Sequence, residues 1–295
     1  MTDTRPQATK RAKRHRSYSF HRMSTGEMVT RYALLLVVLA ITILPFLWQL
    51  STSLKSIDED VYSSTPSFIP EHPTFANYAK VAEVVPVVDY AMNSVVVAAL
   101  VVGGNILGAT MAGYALAKLR FRGSKLVLGA LLATLILPGE ATIIAQYVTV
   151  RSLGLTDTLL GVALPGMIGM INVLLMRAAF TAIPDELEMA AKVDGANAWQ
   201  RLVHVNLPGV RGMLSVISIF AFIGAWDDFL WPLIVLTDPE NLTLTVGLQY
   251  LSGTFTNNPR LIAAGTMISF VPIVVVFAVL QRYFFRGVEE GAIKG

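Results

Sequence analysis

The chain has 295 residues, of which 54% are hydrophobic and only 15% charged, with a net charge of +3. A soluble domain carries about 25% charged residues, so this composition excludes an ordinary water-soluble enzyme and calls for several membrane-spanning segments. The absence of cysteine excludes disulfides, cysteine-based zinc sites and a cysteine nucleophile, and His15, His21, His72 and His204 hold no i, i+4 metal-binding pair.

The chain opens on a basic tail. Arg5, Lys10, Arg11, Lys13, Arg14, Arg16, Arg22 and Arg31 face only Asp3 and Glu27 in acidic return. Because a span-length apolar run follows at once, residues 1–30 read as a disordered cytosolic tail beside anionic lipid headgroups rather than a nucleic-acid arm. No A-x-A-like cleavage site follows the run, so a signal peptide is not expected.

Six spans are predicted, near 31–53, 90–117, 126–150, 157–180, 210–236 and 262–284. Each holds the roughly 20 apolar residues that cross a hydrocarbon core. They must be helices, since a backbone in lipid has to satisfy its own hydrogen bonds, which makes the fold class an all-α polytopic membrane protein. Pro45, Pro138, Pro165, Pro232 and Pro272 fall inside the spans, where local kinks absorb the freed carbonyls. Gly104, Gly108 and Ala112, with Ala109 and Gly113 beside them, form a small-residue stripe suited to close helix packing within the monomer. The segment from Leu54 to Asp89, rich in acids and proline, reads as an outer loop, and Leu242 to Asn258 as a smaller one. Of the 23 Lys and Arg residues, only Lys55, Lys80, Arg151 and Arg260 fall on the side opposite the N-terminus. That bias places both termini in the cytosol of a cell or inner membrane. The chain then divides into the tail, residues 31–89 as first span and outer loop, residues 90–285 as the main transmembrane domain, and residues 286–295 as a cytosolic tail.

No phosphate loop, nucleophile elbow or metal-ligand cluster is present, so the chain is not expected to be an enzyme or to bind a cofactor. The informative stretch lies between the fourth and fifth spans, within residues 181–208. Pro184 suits a first helical turn. Asp185, Glu186 and Glu188 suit the positive end of the helix dipole. Leu187, Met189, Ala190 and Ala191 carry the helix on, and Gly195 fits the left-handed residue that ends it after Asp194. Ala196 leads to Asn197 and Gln200, a capping-box spacing that starts a second helix. Small residues leave the first helix approachable, so the loop reads as a knob for a partner's cleft.

This stretch resembles the EAA loop of ABC importer permeases, with Glu188, Ala190, Ala191, Gly195, Val205, Asn206, Leu207 and Pro208 on the pattern. One residue separates Glu188 from the alanine pair, as in the carbohydrate branch. The run Trp226-Asp227-Asp228-Phe229-Leu230-Trp231-Pro232 resembles that branch's fifth span, with Asp227 departing from the commoner Asn. Leu119 to Gly123 and Gln281 to Gly295 resemble its basic turn and its maltose-type C-terminal end. The resemblance implies an ABC type I importer transmembrane fold. It also implies a second permease subunit as heterodimeric partner, two ATPase subunits holding ATP and Mg, and an extracytoplasmic sugar-binding protein. By the same resemblance, Pro184 to Ala191 and Asp194 to Ala196 would dock the ATPase.

Polar groups inside a membrane are costly and mark candidate pathways. Glu140, Asp227 and Asp228, with Trp226 and Trp231 as sugar-stacking faces, are the candidates here, and Asn93, Asn105, Gln146 and Asn172 are uncharged companions. Interhelical hydrogen bonding is the competing role for each. An ion-coupled secondary transporter, or an importer of a non-sugar solute, is the alternative function.

Overall fold

A computed structural model of the chain describes residues 24–62, 67–253 and 258–292, and the basic residues before Ser24 and the last three residues lie outside them. The chain divides into two compact units, Met1–Leu47 and Trp48–Gly295. The described part of the first is the body of helix α1, Thr25–Leu54. Ser24 and Glu27 cap its start reciprocally, Glu27 N–H to Ser24 Oγ at 3.2 Å and Ser24 N–H to Glu27 Oε2 at 2.8 Å. The helix therefore begins inside the stretch read as tail. Its leucines and valines from Leu34 to Leu39 are exposed, as a lipid-facing helix requires.

The second unit takes in the end of α1 and the remaining helices. Among the described residues no strand occurs. Helix α2 (Ala76–Val84) lies in the segment read as an outer loop. Helices α3 (Val87–Gly104) and α4 (Thr110–Lys118) run on through one wide π turn at Asn105–Ala109 to make a single span of 32 residues. The interval read as the third span is not one helix. Helix α5 (Ser124–Thr134) ends before Pro138, a short 3-10 turn covers Gly139–Thr142, and α6 (Ile143–Ser152) follows. Proline has no N–H to continue the ladder, and glycine after it loosens the backbone further.

The fourth interval bends by 45° between α7 (Leu159–Ala163), extended by a 3-10 turn through Pro165, and α8 (Met170–Thr181). Helix α9 (Asp185–Val193) comes next. A run of α10 (Ala198–Gln200), a π turn at Arg201–Asn206 and α11 (Leu207–Gly209) then meets α12 (Arg211–Trp226) at 84°. The fifth interval breaks again at Asp227–Phe229 before α13 (Leu230–Val235). The segment read as a second outer loop is mostly α14 (Leu244–Gly253), whose Leu244, Val246 and Leu251 are buried. Its apolar spacing seats it in the core, which the short flanking turns concealed. Helix α15 (Pro259–Ala292) follows and continues through Pro272 without a break.

In lipid, apolar side chains gain nothing by leaving water, so helix association rests on close contact and polar ties. The glycine stripe supplies the contact. A Cβ on Gly113 would fall 2.7 Å from Met176 Cβ, so α4 and α8 meet backbone to side chain. Tyr114 then packs edge-on to Phe180 at 5.6 Å. This cluster, with Val173, Met176 and Ile217, forms one half of the core. The other half gathers Val97, Val162, Trp226, Trp231 and Leu244. Polar ties hold the segment after α1. Asn77 Nδ2 donates to Ser53 O at 2.8 Å and Lys55 O at 2.9 Å, and Arg260 Nη2 donates to Glu59 O.

Candidate functional site

The connection from α8 to α12 folds as its residues dictate. Asp185, Glu186 and Glu188 lie in the first turn of α9 and suit the dipole there. Gly195 takes φ +84°, and Ala196 N–H reaches back to Ala191 O at 2.9 Å, which ends the helix in a left-handed turn. Asn197 and Gln200 then form a full capping box, with bonds of 2.9 and 2.8 Å.

Glu188 is the centre of the loop. Its Oε1 accepts from Tyr114 Oη at 2.8 Å and from Arg201 Nε at 2.8 Å, and its Oε2 accepts from Asn206 Nδ2 at 2.6 Å. Arg201 also donates to Ala196 O at 2.7 Å, across the glycine turn. One carboxylate thus joins α9, the helix after the turn, and α4. Burial works against its ionisation, but the bonds from Arg201, Asn206 and Tyr114 outweigh that and hold its pKa below the ordinary value. The same contact with Glu188 raises Arg201. A second tie starts one helical turn along α4, where Lys118 donates to Ile183 O at 2.7 Å and Asp185 Oδ1 at 2.6 Å. Lys118 keeps the Asp185 carboxyl below its usual range.

Glu188 is turned inward, Asp185 reaches Lys118 from the surface with its side chain 70% exposed, and the rest of the loop faces out. Leu187, Met189 and Val193 on α9 and Trp199 on α10 are 52%, 59%, 87% and 60% exposed, apolar side chains presented by a braced loop. Pro184, Glu186, Ala190, Asp194 and Gly195 are exposed beside them, while Ala191 and Ala196 are half-buried. Reading the loop alone missed Tyr114 and Lys118. Their signal was present: two polar groups at i and i+4 on the last turns of an apolar span.

The membrane candidates separate. Asp228 and Trp231 line a cavity of about 360 Å³ with Gln146, Asn105 and Asn172. Trp226 is 2% exposed, stacks on Phe222 at 5.5 Å and donates to Ser269 O at 3.0 Å, so it packs the core. Asp227 is exposed and does not line the cavity. Glu140 lies in the Gly139–Thr142 turn, and its side chain is outside the described residues. Asn93 ties α3 to Glu240 O and Leu242 O at 2.8 and 3.0 Å. Among the described residues no group of three His, Asp or Glu side chains converges as a metal site.

A family model described as "Binding-protein-dependent transport system inner membrane component" matches residues 104–290, which include the whole clamped loop and the cavity helices α8, α12 and α13. The chain belongs to this family.

Relatives in the family match along most of this permease. The galactooligosaccharides transport system permease protein GanQ of Bacillus subtilis (strain 168) is 30% identical over 90% of this chain and 94% of its own length. The arabinooligosaccharides transport system permease protein AraQ of Halalkalibacterium halodurans is 33% identical over 69% of this chain and 73% of its own. The lactose transport system permease protein LacG of Rhizobium radiobacter is 26% identical over 90% and 96%. A crystal structure described as a bacterial ABC transporter involved in the import of the acidic polysaccharide alginate has a chain with the same fold. Its TM-score is 0.77 at 23% identity, covering 89% of this permease and 99% of that chain. The all-α type I importer fold and the multi-pass membrane character expected from the residues are therefore those of the protein.

Proposed function

We propose that this permease is one of two membrane subunits of an ATP-driven sugar importer, and that α9 carries the force of ATP hydrolysis into it. The observation that carries the reading is the Glu188 clamp. Exposed apolar side chains, Leu187, Met189 and Val193 on α9 and Trp199 on α10 after the glycine turn, sit on a loop that Tyr114, Arg201 and Asn206 fix to α4 and to the approach to α12. A partner that grips these side chains moves both. The chain's own residues supply grip, lever and passage; ATP and Mg belong to two partner ATPase subunits. A second permease subunit completes the pathway and an extracytoplasmic binding protein delivers the solute. The excess of Lys and Arg on the N-terminal side puts both termini and α9 in the cytosol. The relatives' oligosaccharide and lactose substrates support a sugar as cargo.

Alternating access then follows from two discrete arrangements of the half-transporters. ATP-driven closure draws the two α9 knobs together, and the bends at Pro165–Gly169 and Asp227–Phe229 let the outer half-helices swing.

The test is uptake of radiolabelled lactose and galactobiose into cells and proteoliposomes that carry the whole assembly. Uptake that needs ATP and the binding protein, and that disappears with Ala190→Glu while the permease pair still assembles, is the expected result. Uptake that survives ATP depletion and collapses with the ion gradient would replace the reading with an ion-coupled carrier.

A further inference from the structure

The cavity beside Asp228 sits where two helix breaks meet. Gly166 and Gly169 from the bend before α8, and Asp228 from the break before α13, all line it. Irregular backbone at membrane depth is tolerated where it borders such a space. Its volume of about 360 Å³ lies within the range of small-molecule pockets, roughly 300–1,000 Å³.

Its polar groups are not equally free. Asn105 Nδ2 donates to Val101 O at 2.9 Å and Gly166 O at 2.8 Å, and its Oδ1 accepts from Gly169 N–H and Asn172 Nδ2, both at 2.8 Å. That pair is occupied in bracing the π turn against the bend. Gln146 Nε2 donates to Thr142 Oγ1 at 2.9 Å. Asp228 has one described bond, a long one of 3.3 Å from Trp231 N–H. The Trp231 indole N–H is held by Val162 O at 3.1 Å, which fixes its ring at the cavity wall. Of the lining residues Asp228 alone is charged, and none is Lys, Arg or His.

We infer that this cavity is a solute subsite whose Asp228 carboxylate accepts hydroxyl or ammonium donors and turns away anions. The saccharides it passes are neutral or cationic; uronates, sulfonates and sugar phosphates are refused. A carboxylate acceptor at membrane depth suits donor-rich ligands, with Trp231 and Phe220 offering apolar faces. An anion would meet a like charge with no cation to offset it, and rejection of this kind sets specificity more sharply than added attraction does. That the ligand is a sugar rests on the importer reading; the charge preference does not.

The chain has no cysteine, so one can be introduced as a single probe. Gly224 lines the cavity, and a Cβ there meets nothing within 4 Å. Membrane vesicles carrying the full chain as Gly224→Cys are treated with cationic and anionic methanethiosulfonate reagents of similar size. The rate ratio is normalised to that of a small thiol in solution. The expected ratio favours the cation by roughly tenfold or more, the effect of one charge a few ångström away at intermediate dielectric. Asp228→Asn should bring the ratio to that of the free thiol, and Asp228→Glu should keep it. A ratio of one with Asp228 in place overturns the proposal, as does a ratio that Asp228→Asn leaves unchanged. No reaction with either reagent, when the detergent-unfolded chain reacts fully, also overturns it, because the cavity is then closed to solutes. Labelling does not use transport, so loss of ATP-driven uptake would sink the importer reading and leave this ratio standing.

Discussion

Tyr114 and Glu188 stand 74 residues apart in sequence, yet the tyrosine hydroxyl donates to Glu188 Oε1 at 2.8 Å. Tyr114 belongs to a span fixed in the core by Phe180 and by the glycine stripe. Glu188 belongs to α9, whose Leu187, Met189 and Val193 are exposed. The bond therefore converts a surface knob into an extension of α4. Arg201 and Asn206 do the same on the other side of the Gly195 turn.

Replacing Glu188 by Ala should free α9 without unfolding the membrane helices. It removes the acceptor that Tyr114, Arg201 and Asn206 share, leaving Arg201 with Ala196 O and Asn206 with Arg201 O, at a cost of about 1–3 kcal/mol. Glu188→Gln keeps the shape and loses the charge, and should fall between. Hydrogen exchange of residues 185–206 should accelerate markedly in Glu188→Ala while exchange in α3 and α15 stays unchanged. Capture of an ATPase subunit should weaken in the same order.

The same carboxylate fixes the pH response. The fold lowers the pKa of Glu188 from its ordinary 4.5, so the folded loop favours the ionised form. Its contribution is complete above the unfolded value and is lost as pH falls through the lower folded value. The contact with Glu188 raises the pKa of Arg201, so its contribution fades only as pH climbs through that raised value. Limited proteolysis of the loop should be flat from about pH 5 to 8 and rise only in stronger acid. A transition near neutrality would contradict the clamp.

The periodic and punctuated parts of the fold were legible in the residues. Apolar length located the continuous spans α1, α3–α4 and α15, and the Pro184–Gly195 spacing located α9 with both its ends. Pro138 and Pro165 lie at breaks in their spans and Pro232 lies in the first turn of α13 just after one, whereas Pro45 and Pro272 lie inside continuous helices. Glycine follows Pro138 and Pro165 but neither Pro45 nor Pro272, a local signal for those two breaks, whereas Pro232 is followed by Leu233 and carries no such mark. What stayed hidden needed partners distant in sequence. Trp226 and Trp231 look alike in the motif, but one packs the core while the other reaches the cavity. The polar candidates divided in the same way, since Asn105 found Asn172 and Gly166 only through packing.

Two glycines in helices should respond in opposite directions to alanine. At Gly113 the added methyl would lie 2.7 Å from Met176 Cβ and 2.8 Å from Arg177 N, so Gly113→Ala must push α8 away and should cost about 1–3 kcal/mol. At Gly129, on α5, the methyl meets nothing within 4 Å. There Gly129→Ala should gain about 0.5–1 kcal/mol from helix propensity. Thermal unfolding of the two variants in detergent should shift the midpoint down for the first and up slightly for the second.

The last prediction concerns Asp157, the one non-glycine residue with positive φ among those described, at +59°. Its Oδ1 accepts from Thr237 N–H at 2.9 Å and Asp238 N–H at 3.0 Å, and its Oδ2 from Thr237 Oγ1 at 3.1 Å. Its backbone N–H donates to Val235 O at 2.9 Å and its carbonyl accepts from Asn241 at 2.9 Å. These bonds splice the α6–α7 turn onto the end of α13, and they offset the strain of a left-handed residue. Asp157→Ala keeps the strain and loses the acceptor, so it should destabilise by about 1–3 kcal/mol. Asp157→Gly relieves the strain but frees the turn, whereas Asp157→Asn tolerates the conformation and keeps one acceptor oxygen. The expected order of unfolding midpoints is wild type, Asn, Gly, Ala. The bonds from Asp238 and Thr237 hold the Asp157 carboxyl below its ordinary 3.8, so the splice is intact above that value and loosens only as pH falls through the lower folded one. Crosslinking Thr158→Cys to Asp238→Cys across the splice should proceed at neutral pH in wild-type background and slow in Asp157→Ala. Equal rates in the two would show that the carboxylate is not what holds the splice, since Asp157→Ala keeps the backbone bonds to Val235 O and from Asn241.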